Sequence, residues 1–126
     1  STPAIGALKK GIDFVKIRGA EEIYAHECVL GKRLTEMLTS VRNTKVYMPE
    51  KIGGTVLFNY ADMSSEQMAG ELEKAGICVR AGLHCAPLAH KTLGTPEYGA
   101  VRVSFSIFNT KNEVDNFYRV YSNIVK

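Results

Sequence analysis

Apolar and polar positions follow helical spacing through the first third of the chain. Ile5, Leu8, Ile12 and Val15 fall on one face of a predicted helix. Pro3 suits its first turn, where a backbone donor has no intrahelical partner to lose. Gly19 separates this helix from a second, predicted over roughly 20–42, whose apolar face reads Leu30, Leu34, Met37, Leu38 and Val41. The period then shortens. An extended segment at 45–48 stops at Pro49, Gly53-Gly54 marks a turn, and TVLFNY (55–60) has the composition of a buried strand. Ser64 and Gln67 form a capping box that opens a helix with Met68, Leu72 and Ala75 inward, and Gly76 ends it. ICVRAG (77–82) reads as another strand. The next, from Val101, alternates: Val101, Val103, Phe105 and Ile107 on one face, Arg102, Ser104 and Ser106 on the other. Thr110 with Glu113 caps a last helix carrying Val114, Phe117, Tyr118, Tyr121, Ile124 and Val125 inward.

These elements make the fold class α/β (α+β): a small sheet with helices packed on it. The 126 residues suffice for one domain with a real core, and no repeat, low-complexity tract or linker divides them. The 16 basic and 13 acidic residues give a net charge of +3 without a Lys/Arg run, so neither nucleic acid nor membrane is an expected partner. No apolar stretch approaches the ~20 residues of a membrane helix, and the first residues are not a signal peptide. Cys28, Cys78 and Cys85 cannot all pair and none forms C-x-x-C, which points to a reducing, cytoplasmic compartment. The chain enters helical pattern at Ser1-Thr2-Pro3 without an initiator methionine, as a piece of something longer would.

Candidate chemistry gathers in VRAGLHCAPLAH (79–90), where apolar periodicity dissolves. Ala86-Pro87 suits the start of a short helix over 87–93, which puts Cys85 beside a cap whose free N–H groups favour a thiolate. Arg80 lies five residues earlier and His84 is adjacent. Cys78, alternating within an apolar strand, is expected in the core, and Cys28 beside the stripe of the second helix is expected to be structural. His26 and Cys28 diverge on that helix, and His84, Cys85 and His90 have no recognised zinc spacing, so no metal is expected. Arg102 needs an anionic partner. That partner is either a carboxylate such as Glu73 or Asp115, or the carboxylate of a substrate held by the planar guanidinium fork. Lys91 reads as a solvated side chain rather than a Schiff-base lysine, which needs apolar neighbours.

VRAGLHCAPLAHKTLG (79–94) and VRVSFSIFNTKNEVDNF (101–117) resemble the C-terminal part of the class V aminotransferase superfamily, in its cysteine desulfurase branch. The short R-A-G-x-H-C-A-P form is similar to group II, the SUF-type desulfurases and the selenocysteine lyase-like enzymes. STPAIGALKKGIDFV (1–15) is similar to the N-T-P-G-I-x-G-L segment of the same family.

The resemblance implies the C-terminal small domain of a fold type I pyridoxal-phosphate enzyme. It implies Cys85 as the nucleophile that takes sulfur from L-cysteine and holds it as a persulfide, with L-alanine as the other product. It further implies Arg102 on the substrate carboxylate, Arg80 at the substrate mouth and His84 flanking the cysteine. Pyridoxal phosphate is the cofactor of the parent. The family's Schiff-base lysine lies in a large N-terminal domain that these residues do not include. On this reading the segment alone neither binds the cofactor nor turns over substrate, and it exposes apolar surface where the large domain docks. A homodimeric parent and a sulfur-acceptor protein are the implied partners. The alternatives are selenocysteine lyase or another class V β-elimination, and a non-catalytic binding module that keeps the fold.

Overall fold

The computed structural model describes residues 2–84, 88, 91, 92, 94, 95 and 99–126. The elements among them are helices α1 (Thr2–Arg18) and α2 (Ala20–Thr39), strands β1 (Thr44–Tyr47) and β2 (Thr55–Tyr60), helix α3 (Ser65–Lys74), strand β3 (Val101–Ser104) and helix α4 (Lys111–Ile124). Both predicted capping boxes form. The Ser64 side chain accepts from the Gln67 amide at 3.1 Å, and the Gln67 side chain accepts from the Ser64 amide at 2.9 Å. Thr110 and Glu113 repeat the exchange at the start of α4. In each case two donors that a helix start leaves orphaned are satisfied by side chains four residues apart or fewer.

The sheet is antiparallel with the order β1-β2-β3. Its two faces differ because side chains alternate along a strand. Val56, Phe58, Val101 and Val103 face the helices and join Leu30, Leu34, Leu38, Met68, Leu72, Val114, Phe117 and Tyr121 in one buried cluster. Phe58 meets both Phe117 and Tyr121 edge-on, with ring centroids 6.2 and 5.3 Å away. The opposite face carries Tyr47, Leu57 and Arg102 in one cross-strand row. A sheet of this width with helices on one side is the predicted α/β (α+β) class.

Several boundaries and faces differ from the sequence reading. Helix α2 ends at Thr39 rather than near 42, because the Ser40 amide turns to the Met37 carbonyl and the Val41 amide to the Leu38 carbonyl, each three residues back. The strand predicted at 77–82 reduces to one bridge, Arg80 to Arg102. β3 stops at Ser104, and the Phe105 amide turns to the Gly54 carbonyl at 2.7 Å. Ala75 is exposed at the C-cap of α3 instead of inward, and Tyr118 is only half-buried. Cys78 is exposed, not in the core. Period-2 alternation fixes that neighbours face opposite ways but not which phase faces inward, and here Ile77 and Val79 pack on the core. Helix α1 has the predicted apolar stripe but buries none of its residues: Ile5 is 69% and Leu8 64% exposed. No described helix is long and apolar enough to cross a membrane.

Candidate active site

Arg80 and Arg102 are brought together by backbone, not by side-chain contact. The Arg102 amide donates to the Arg80 carbonyl at 2.7 Å, and the Arg80 amide returns the bond to Arg102 at 3.1 Å. Directly opposed residues of an antiparallel pair project to the same face. Both side chains therefore project from the face of the sheet opposite the core, in the row Tyr47, Leu57, Arg102, Arg80, with Arg80 exposed and Arg102 half-buried. Cys78, Val79 and Ser104 complete a depression of about 170 Å³ around them. Neither carboxylate considered for Arg102 pairs with it. Asp115 is gripped instead by Arg33, whose Nε and Nη2 donate to its two oxygens at 2.7 and 3.0 Å, and Glu73 makes no ion pair among the described residues. Arg102 Nε is buried without a hydrogen-bond partner among the described residues. Two like charges side by side on a sheet repel, and an anion between them removes that penalty.

The segment after Arg80 is fixed against the entry to β3. The Ala100 amide donates to the Gly82 carbonyl at 3.2 Å, and His84 Nε2 bonds the Ala100 carbonyl at 3.1 Å. A carbonyl only accepts, so Nε2 carries the proton. His84 holds the left-handed region at φ 51, uncommon for a residue with a Cβ. Gly82 and Gly99 do so at φ 95 and 74, and any Cβ on Gly99 would run into the Gly82 carbonyl group. Glycine is required here by both conformation and space.

Cys85 lies outside the described residues, as do Pro87 and His90. Of the helix predicted over 87–93, Leu88, Lys91 and Thr92 are described and are helical, and Lys91 is exposed as predicted. Cys28 donates its thiol to the Ile52 carbonyl at 3.3 Å, and His26 bonds the Asn109 carbonyl at 2.9 Å, so the two diverge as their spacing implies. No group of three potential metal ligands occurs among the described residues. The sequence reading missed Asn59, which is 7% exposed and donates from Nδ2 to the Gly99 carbonyl at 3.1 Å. Its signal is an amide in the middle of TVLFNY, where every neighbour suits a buried strand.

A pyridoxal-phosphate site needs a lysine desolvated enough to be a nucleophile. All ten lysines are exposed on the surface, at 9, 10, 16, 32, 45, 51, 74, 91, 111 and 126. The residues therefore do not themselves fit that cofactor's anchoring role.

Residues 1–117 match the family model aminotransferase class-V, and the chain belongs to that family. Among its curated relatives, a probable cysteine desulfurase of Halalkalibacterium halodurans is 38% identical over 117 residues, covering 90% of this chain and 28% of the relative. A probable cysteine desulfurase of Halobacterium salinarum is 34% identical over 119 residues, with the same two shares of 90% and 28%. The apo structure of a cysteine desulfurase from Thermococcus onnurineus NA1 superposes with a TM-score of 0.84 at 35% identity, over 91% of this chain and 29% of that one. The chain thus spans just over a quarter of the length of these relatives.

Proposed function

We propose that residues 1–126 form the substrate-facing small domain of a pyridoxal-phosphate-dependent cysteine desulfurase, which converts L-cysteine to L-alanine and keeps the sulfur as a persulfide on Cys85. The paired, carboxylate-free arginines carry this reading, since they offer a bidentate grip for the α-carboxylate of a small amino acid. Arg102 is the principal carboxylate ligand and Arg80 guards its outer side. His84, bonded at Nε2, flanks the nucleophile.

In the reaction the Cys85 thiolate attacks the substrate sulfur and forms an S–S bond. The substrate C–S bond breaks, and its electron pair stays on carbon, which is protonated to give alanine. Pyridoxal phosphate supplies the electron sink for such chemistry, and its lysine would come from outside residues 1–126. A cytoplasmic, homodimeric parent that passes sulfur to an acceptor protein, as in iron-sulfur cluster assembly, belongs to the same reading.

Mutation of the full-length chain tests it. Cys85→Ala should abolish alanine and sulfide formation while L-cysteine still binds. Arg102→Ala should raise KM for L-cysteine by about tenfold or more, the worth of a charge-assisted hydrogen bond. Undiminished turnover in the first variant, or lost turnover at unchanged KM in the second, contradicts the assigned roles.

A further inference from the structure

We infer that Ser104 is a further substrate-binding residue, and that the carboxylate sits on the Cys78–Ser104 side of the arginine pair; this rests on the role proposed above for Arg102. Pairing along the outer edge of β3 begins with the Ala100 amide on the Gly82 carbonyl and continues through the Arg80–Arg102 bridge. In the same register the next pair is Cys78 and Ser104, two positions further along each segment. Among the described residues no bridge joins them. The two segments part there, and the space between is the depression of about 170 Å³ lined by Cys78, Val79, Arg80, Arg102 and Ser104. Side chains two apart on an extended segment share a face, so Ser104 stands beside Arg102 and Cys78 beside Arg80. Leu57, on the other flank of Arg102, does not line that space.

Ser104 brings two donors to it. Successive N–H groups of a strand point to opposite sides. The Arg102 amide donates to Arg80, and the Phe105 amide donates the other way, to Gly54. The Ser104 amide is therefore directed away from β2, toward Cys78. Ser104 is exposed, and its hydroxyl bonds no described residue. Two guanidinium groups, an amide and a hydroxyl thus line one space, and no carboxylate of the described chain lines it with them. A donor set of that kind suits an anion. The arginine fork takes the two carboxylate oxygens in its plane, and each oxygen keeps a lone pair for a further donor. The Ser104 hydroxyl fills that place.

Ser104→Ala in the full-length chain removes the hydroxyl and leaves the amide. KM for L-cysteine should rise about tenfold, the worth of one hydrogen bond to a charged group, with kcat within about twofold. Ser104→Thr keeps the hydroxyl and should hold KM within about twofold of wild type. An unchanged KM in the alanine variant, or an equal rise in both variants, would overturn the assignment. Cys78 is exposed on the same depression and gives a readout independent of turnover. Iodoacetate and iodoacetamide alkylate a thiolate alike: sulfur bonds the methylene carbon and iodide leaves. Of the two, iodoacetate alone carries a carboxylate. The ratio of their rates at Cys78, read on peptide 75–80, should be severalfold higher in the folded protein than in urea. It should fall in both Arg102→Ala and Ser104→Ala. A ratio equal to that of the unfolded chain would overturn the placement of the anion beside Cys78. If Arg102→Ala leaves KM unchanged but lowers this ratio, the substrate reading fails and the anion site stands.

Discussion

Single residues decide this site through backbone placement and desolvation. The arginine pair is set by one bridge, and the entry to β3 by Gly82 and Gly99 in a conformation other residues resist. Of these, Arg102 was legible in the sequence because a lone charge in an apolar strand demands a partner, whereas Arg80 stood out only by its place before Cys85 and by the family resemblance. Which partner was not legible: Asp115 was taken by Arg33 from another helix, a contact 82 positions long. Asn59 was hidden for the same reason, its acceptor lying on a distant loop. Tyr121 shows desolvation acting on the core. Burial pushes its phenol from the ordinary 10.0 up to about 12, while its hydroxyl bonds Thr44 at 2.7 Å. The folded state favours the protonated phenol, so that stabilisation is complete below about pH 10 and is lost as pH rises through about 12. Tyr121→Phe should remove this alkaline loss. Melting temperatures measured from pH 8 to 12 should show the wild type losing ground to the variant above about pH 10, and a constant difference would contradict it.

Among the elements, the helices with local start signals were the easiest to read. A capping box needs only residues i and i+3, and both boxes formed as the sequence implies. Strand ends were harder, because the apolar alternation continues to Ile107 while pairing stops at Ser104. The phase of 77–79 was misread because no local feature says which side of an edge segment meets the core. Helices α2 and α4 are joined across the surface by Arg33 and Asp115. The hydrogen bond from Arg33 holds the Asp115 carboxyl below its ordinary 3.8, and burial opposes this only in part. A depressed folded pKa gives stability that is complete above pH 3.8 and is lost as pH falls through the folded value. Asp115→Asn should therefore be less stable than wild type at neutral pH, with the gap closing in acid. A urea titration series across pH 2–7 checks the direction, and a gap that widens in acid would refute the assignment.

For the molecule as a whole, the core lies on one side of a three-stranded sheet and the arginines of the proposed site on the other. The helices shield the valines and phenylalanines of one face, and Tyr47, Leu57 and Arg102 lie on the other. Helix α1 follows the same logic: Ile5, Leu8 and Ile17 form apolar surface with nothing described to cover it. An isolated helix of this length is marginal in water, and its stripe makes sense against a neighbour beyond this chain. The chain's share of its relatives, 28% of the Halalkalibacterium halodurans protein, leaves ample length for such a neighbour in a full-length enzyme.

The most direct test of this account follows the sulfur. The full-length protein is mixed with one equivalent of L-cysteine, quenched under conditions that preserve persulfides, and cleaved after lysine and arginine. The account predicts one added sulfur on peptide 81–91, which contains Cys85 and no other cysteine, together with stoichiometric L-alanine. Alanine formed with that peptide unmodified, or with the sulfur on peptide 75–80 instead, would contradict it.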